Sequence, residues 1–248
     1  MIKFDLYPSI DIIGGKALTS KTAVQNILGV SSDKKIIGHP KEVAQTYKES
    51  GAQWLHIVDL DAAAGIGCNK EIILDLIKSI DIKVQVCGGI NNDQILNRLF
   101  DAGCDRVNIG SAALNNPTWC ESLFKKYDDF IAISLDVKKS GDQYHLATRG
   151  WNDIKGDLWS TLSWLDSEGC TRYVVTDIDK AGMMNSPNIE LLKAVMLKTD
   201  KPIVTAAGVS NLSDIRNLIN LGVEGTILGQ VLHTGAMCLS DALKEVTA

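Results

Sequence analysis

Several protein classes leave signatures that this chain lacks, and each absence narrows its function. None of its six cysteines (Cys68, Cys87, Cys104, Cys120, Cys170 and Cys238) stands in a C-x-x-C pair. A thiolate metal clip or a disulfide framework is therefore not expected, and the six read as small buried or partly buried residues. No apolar run approaches the roughly 20 residues that a membrane span requires. The opening Met1-Ile2-Lys3-Phe4-Asp5 has no signal-peptide layout, so the expectation is a cytoplasmic protein that engages no membrane. A surplus of basic charge is also missing: the net charge of −5 argues against nucleic acid as a partner. Low-complexity and Pro/Ser-rich linkers are absent too, and the whole of 1–248 is read as one domain.

What the chain does have is an internal repeat. Gln85 to Ser111 (QVCGGINNDQILNRLFDAGCDRVNIGS) is spoken again from Ile203 to Gln230 (IVTAAGVSNLSDIRNLINLGVEGTILGQ). Gly89 pairs with Gly208, Gly103 with Gly222 and Gly110 with Gly229, each 119 positions apart. Each copy reads as an apolar strand, a small-residue turn, an amphipathic helix and a second strand ending in Gly. Glycines past strand ends allow close backbone approach, and a following helix start offers free N–H groups, an arrangement suited to phosphate. The repeat extends upstream, with Asp59 and Asp177 118 positions apart and Asp11 and Asp136 125 apart. Two halves of four strands each follow from this pattern.

Along the chain, eight apolar strands are expected: from Phe4, Trp54, Ile82, Arg106, Phe130, Arg172, Pro202 and Gly225. Helices fall between them, the clearest at Lys41 to Ser50, Lys70 to Ser79, Asp93 to Ala102, Pro117 to Lys126 and Leu158 to Glu168. Two stretches, Gly14 to Pro40 and Val137 to Asp157, read as long irregular segments, the first broken by Gly14-Gly15, Ser31-Ser32 and His39-Pro40. Loops of such length are usually functional lids or partly disordered. Strand–helix alternation at this length makes an α/β protein, a single (βα)8 TIM barrel with a twofold half-barrel repeat. Residues at strand C-termini then face one mouth: Asp11, Asp59, Asp61, Gly88, Gly89, Gly110, Asp136, Thr176, Asp177, Gly208 and Gly229.

Carboxylates facing each other across a pocket suit a proton-shuttling isomerisation, in which one donates to a ring oxygen while the other removes a carbon-bound proton. They could instead bind Mg2+ or cap helices. Capping is favoured for Asp59 and Asp61 and chemistry for Asp11 and Asp177, with Asp136 between. Cys87, just before the Gly88-Gly89 turn, reads as a small residue tolerated there.

The segments PSIDIIGGKA, GAQWLHIVDLDAAAGIG, QVCGGI, DRVNIGSAAL, ISLDV, TRGW, GCTRYVVTDI, NSPNIELL and GVEGTILG resemble the phosphoribosyl isomerases of histidine biosynthesis. The likeness is greatest to the bifunctional branch that serves both the histidine and tryptophan pathways, and it covers the chain from Pro8 to about Leu232. It implies an Amadori rearrangement of a small phosphorylated sugar-amine substrate, without metal or organic cofactor, by an enzyme that acts as a monomer. It implies Asp11 and Asp177 as the acid–base pair, with Asp136 and Thr176 supporting. Gly88, Gly89, Gly110 and Ser111 would cradle one phosphate and Gly208 and Gly229 the other, while Arg149 and Trp151 would clamp the aromatic part of the substrate.

The chain departs from that family at informative places. The family's first loop carries an arginine eight residues after the catalytic aspartate; here that position is Thr19. Where the family reads K-D-G-T-L, this chain reads Lys180-Ala181-Gly182-Met183-Met184, and Ala207 and Gln230 stand where Gly and Lys are common. Each lost charge-assisted bond is worth roughly 1.5–3 kcal/mol, so the departures point toward the smaller substrate, N-(5′-phosphoribosyl)anthranilate. Alternatives are a dual-substrate enzyme, an isomerase of the two-phosphate imidazole intermediate ProFAR, a cyclase-like barrel that docks a glutaminase, or a non-catalytic phosphosugar-binding barrel.

Overall fold

The computed structural model of the protein describes residues 3–27 and 35–247; the Ser31-Ser32 breaker lies outside them. Eight barrel strands occur in the order expected: β1 (Asp5–Ile13), β2 (Trp54–Asp59), β3 (Lys83–Cys87), β4 (Arg106–Ile109), β5 (Ile131–Ser140), β6 (Tyr173–Asp177), β7 (Ile203–Ala206) and β8 (Gly225–Leu228). Each pairs in parallel with the next. Pairing of β8 with β1 closes the ring. The strands are rich in β-branched and apolar residues on their outer face, which the helices bury. Together with the helices packed outside, this is a (βα)8 TIM barrel.

Hydrophobic burial is divided by the sheet. Outside, strand residues such as Ile57, Val107 and Ile133 pack against helix residues such as Leu76, Leu96 and Leu123. Inside, Tyr7, Trp54, Ala132, Val174 and Val204 form a layer across the bottom, so the interior is a packed core with room for a site only at the top. The repeat persists in the helix starts. Asn92 and Asn211, 119 positions apart, each N-cap the helix that follows, accepting from Ile95 N at 3.0 Å and Asp214 N at 3.2 Å. A side-chain oxygen there satisfies an N–H that has no partner within the helix.

Within the described residues, both supposedly irregular segments carry sheet extensions. Lys16–Leu18 folds back antiparallel on β1, Ile36–Gly38 pairs with it, and Ser20–Ile27 between them is helical. In the second, β5 runs on to Ser140, turns at Gly141-Asp142, and pairs with Gln143–Thr148, which pairs in turn with Asp153–Asp157. Gly141 takes φ 59° there, the left-handed conformation a two-residue hairpin turn demands. The polar KKSGDQYH sequence hid these strands, because they stand above the barrel with little apolar face to bury. Short helices at Leu60–Ala64, Ser111–Asn115 and Gln230–His233 were likewise not anticipated. Two cysteines depart from the expected burial: Cys68 and Cys238 are exposed.

Candidate active site

The top of the barrel opens into a cavity of about 520 Å³, within the range that holds a small-molecule ligand. Strand alternation decides what faces it. From β1, Ser9 and Asp11 point in; from β2, His56 and Val58; from β5, Ser134 and Asp136; from β6, Val174 and Thr176. Among the described residues lining the cavity, Asp11 and Asp136 are the only carboxylates and Arg149 the only Lys or Arg. Strands β1 and β5 lie four apart in the eight-membered ring, so the two carboxylates enter from opposite walls.

Asp11 is 7% exposed and accepts a 2.6 Å hydrogen bond from Ser9 Oγ on one oxygen. Asp136 is held by hydrogen bonds to the Trp151 and Thr176 side chains; burial nevertheless dominates and raises its carboxyl above the usual range.

Asp177, expected as one of the acid–base pair, sits at the end of β6 beside the inward-facing Thr176. It is absent from the cavity lining, because adjacent residues of a strand face opposite ways and Thr176 takes the inward position. Its carboxylate accepts from Asn188 Nδ2 at 2.7 Å and Asp179 N at 3.0 Å. The other half of the barrel has the same device: Asp59 accepts from Asn69 Nδ2 at 2.8 Å, and Asn69 and Asn188 are 119 positions apart. Asp59 also caps the helix Leu60–Ala64, and Asp61 accepts from Gly14 N at 2.7 Å. Asp59, Asp61 and Asp177 thus each bond to the loops that follow or adjoin their strands.

The glycine turns do reach the cavity: Gly88, Gly89, Gly110, Ser111, Gly208 and Gly229 all line it. They follow β3 and β4 on one side and β7 and β8 on the other, again four strands apart. Gly88 has φ 100°, and a Cβ there would lie 2.2 Å from Asp59 O, so no side chain fits. At the equivalent position Ala207 keeps the left-handed turn with φ 79°, and Gly208 beside it is closed to a side chain by Ser186 O at 2.6 Å.

The first residue after each strand-end glycine is tied to a loop from the opposite half. Ser111 Oγ accepts from Arg149 N, and Gln230 Oε1, 119 positions on, accepts from Lys21 N, both at 2.8 Å. Arg149, Gly150 and Trp151 are successive left-handed residues, with φ 54°, 62° and 68°. This strained arch brings all three against the cavity. Thr19, at the family's arginine position, does not reach it: the residue is 1% exposed, its hydroxyl bonded to Thr22 Oγ1, and Ser20 lines the cavity in its place. The strand-six loop adds Ala181, Gly182 and Met184, an apolar wall.

Three floor residues went unnoticed in the sequence as site residues. His56 is 5% exposed, and burial lowers its imidazole to about 4 against the opposing pull of Asp11. Cys87 sits 3.5 Å from His56 Nε2; burial and the nearby Asp136 and Asp11 charges push its thiol well up, against the thiolate form. Asn108 is 1% exposed, and neither atom of its amide has a protein partner. An unpartnered buried amide facing a cavity awaits a ligand or water. Only inward parity, invisible without a register, would have singled these out.

Comparison with known proteins places this geometry. Residues 5–238 match the family model described as histidine biosynthesis protein. A 1-(5-phosphoribosyl)-5-((5-phosphoribosylamino)methylideneamino) imidazole-4-carboxamide isomerase 2 of Photorhabdus laumondii is 50% identical over 97% of this chain and 95% of its own. An isomerase of the same substrate from Thermobifida fusca is 44% identical over 98% and 96%. The phosphoribosyl isomerase A of Mycobacterium sp. strain JLS is 42% identical over 96% and 95%. With likeness running nearly end to end and one family model spanning both half-barrels, this chain belongs to the histidine biosynthesis protein family, among its phosphoribosyl isomerases.

Proposed function

We propose that the protein is an aldose–ketose isomerase that carries out an Amadori rearrangement of a phosphoribosyl amine, with Asp136 as general acid and Asp11 as general base. The observation that carries this reading is the pair of carboxylates on opposite walls of one cavity, set crosswise between two glycine turns that also face each other. Asp136, raised by burial, donates its proton to the ring oxygen; the ring C–O bond breaks and an iminium forms at C1. Asp11, one oxygen occupied by Ser9, uses the other to take the C2 proton. The resulting enolamine then tautomerises to the aminoketose. Thr176 positions Asp136, and the turns at Gly88-Gly89 and Ala207-Gly208 hold phosphate through backbone N–H groups.

The finer reading is a preference for N-(5′-phosphoribosyl)anthranilate, which has one phosphate, over the two-phosphate imidazole carboxamide. Three features support it. The cavity's one Lys or Arg is Arg149, on the first cradle's side, the second cradle offers Gln230, and the strand-six wall is apolar. The anthranilate ring would lie against Trp151, its carboxylate within reach of Arg149. The names of the relatives favour a second reading, turnover of the imidazole carboxamide. Purified enzyme assayed on both substrates separates them. Turnover of the anthranilate is expected, with Asp11→Asn and Asp136→Asn each lowering kcat about 10²–10⁴-fold. Turnover of the imidazole substrate alone would refute the preference, and inactivity on both would refute the isomerase.

A further inference from the structure

Beneath the cavity floor runs a buried polar column that the proton transfers above do not use. Ser9, His56, Gln85 and Arg106 are neighbours in register across β1 to β4. Gln85 is 0% and Arg106 7% exposed. The Arg106 guanidinium packs 4.8 Å from the Trp54 ring centroid, and its Nη1 donates to Tyr7 Oη at 3.2 Å and, at 3.5 Å, toward Gln85 Oε1.

The direction of this chain is forced by which groups can only donate. A guanidinium has no acceptor, so the carbonyl end of the Gln85 amide faces Arg106. The NH2 end then faces His56 Nδ1, 3.0 Å away. An NH2 group donates only, so Nδ1 accepts, and the single proton of the neutral ring sits on Nε2. That nitrogen is on the side of Cys87, and both residues line the cavity. A reversed amide would set its NH2 against the guanidinium, donor against donor.

We propose that His56 is locked as the neutral Nε2–H tautomer, giving the bound sugar one fixed hydrogen-bond donor, and that Gln85, oriented by Arg106, is the positioning residue that sets it. The tautomer stands on the column alone; the identity of the acceptor, an oxygen of the open-chain sugar, rests on the isomerase reading. A neutral donor stabilises the oxygen of an enolamine without surrendering its proton, which leaves proton traffic to Asp11 and Asp136. Burial of the ring, which depresses its basicity, agrees with a neutral group.

Imidazole 15N NMR of the free protein at neutral pH tests the lock directly. The expected spectrum has a pyrrole-type Nε2 and a pyridine-type Nδ1 for His56; the reverse assignment, or an imidazolium, overturns the proposal whether or not the enzyme is active. Gln85→Glu can accept from Arg106 and from the ring together, so it should move the proton to Nδ1 and lower kcat at least about tenfold while KM changes less than about threefold. Arg106→Lys keeps a donor-only cation and should retain the wild-type tautomer. A switched tautomer with unchanged kcat would overturn the positioning role while leaving the isomerase intact. If Gln85→Glu does not fold, His56→Leu removes the donor together with the acceptor of the Gln85 NH2, and unchanged kcat there would count against the proposal equally.

Discussion

Ala207 shows how much one residue's conformation reveals. It occupies the turn position of Gly88 in the other half, yet it is a β-carbon-bearing residue at φ 79°, where an L side chain crowds its own backbone at a cost of roughly 1–2 kcal/mol. Part of that strain is offset because alanine restricts the unfolded chain more than glycine does. Ala207→Gly is therefore expected to raise the thermal midpoint by about 2 °C; an unchanged or lower midpoint would mean that the Ala207 methyl makes packing contacts that outweigh its strain. At this scale the sequence was legible where chemistry is carried by the backbone. The glycine turns and Asp11 reach the cavity as expected. It left open which of Thr176 and Asp177 points inward, because the dipeptide reads the same either way. The Asp59–Asn69 and Asp177–Asn188 pairs repeat the same hydrogen bond in the two halves.

Among the elements, the arch at Arg149 to Trp151 bears directly on Asp136 through Trp151, beside Thr176 of β6. Burial raises the Asp136 carboxyl and the Trp151 bond lowers it. If Asp136 must be protonated to act, the rate falls as pH rises through its pKa. Trp151→Phe removes one lowering contact, so the alkaline limb of the kcat/KM profile should move to higher pH even if its height falls; a limb that stays in place or moves down removes Asp136 from the acid role. The same shift has a stability consequence with a definite sign. A raised folded-state pKa contributes stability that is complete below the unfolded-state value and is lost as pH rises through the folded one. Any gain in thermal midpoint from Asp136→Asn should thus be larger at alkaline than at acid pH. The strands beyond β5 that carry this arch were not read from the sequence. Their pairing is fixed by a turn at Gly141-Asp142 and by neighbouring strands, without the apolar alternation that advertises a buried face.

Across the whole molecule, closure of the ring sets stability. Near its bottom, Arg172 makes a bidentate pair with Glu224, Nε to Oε2 at 2.7 Å and Nη2 to Oε1 at 2.9 Å, with side chains 10% and 13% exposed. The two residues immediately precede β6 and β8, and Glu224 O also accepts from Asp5 N at the start of β1, so the pair ties three strands around the closing seam. Glu224→Gln would leave a mostly buried guanidinium with only the more distant, exposed Asp129 at 3.6 Å as charge partner, at a cost of about 3 kcal/mol, read as a lower urea midpoint. The double variant Arg172→Met/Glu224→Leu should recover much of that loss, and failure to recover would show that the pair's geometry, and not relief of an unpaired charge, is what the seam requires.

The sequence by itself determined the eightfold strand–helix alternation, the doubling of the half-barrel and the positions of the glycine turns, because apolar periodicity and backbone freedom are written into consecutive residues. Tertiary structure alone decided which carboxylate faces Asp11, which polar groups make the floor and where Thr19 points. Those outcomes depend on inward or outward parity and on neighbours across the ring, such as Asn188 for Asp177 and Gln85 for His56, brought within bonding distance only when the barrel closes.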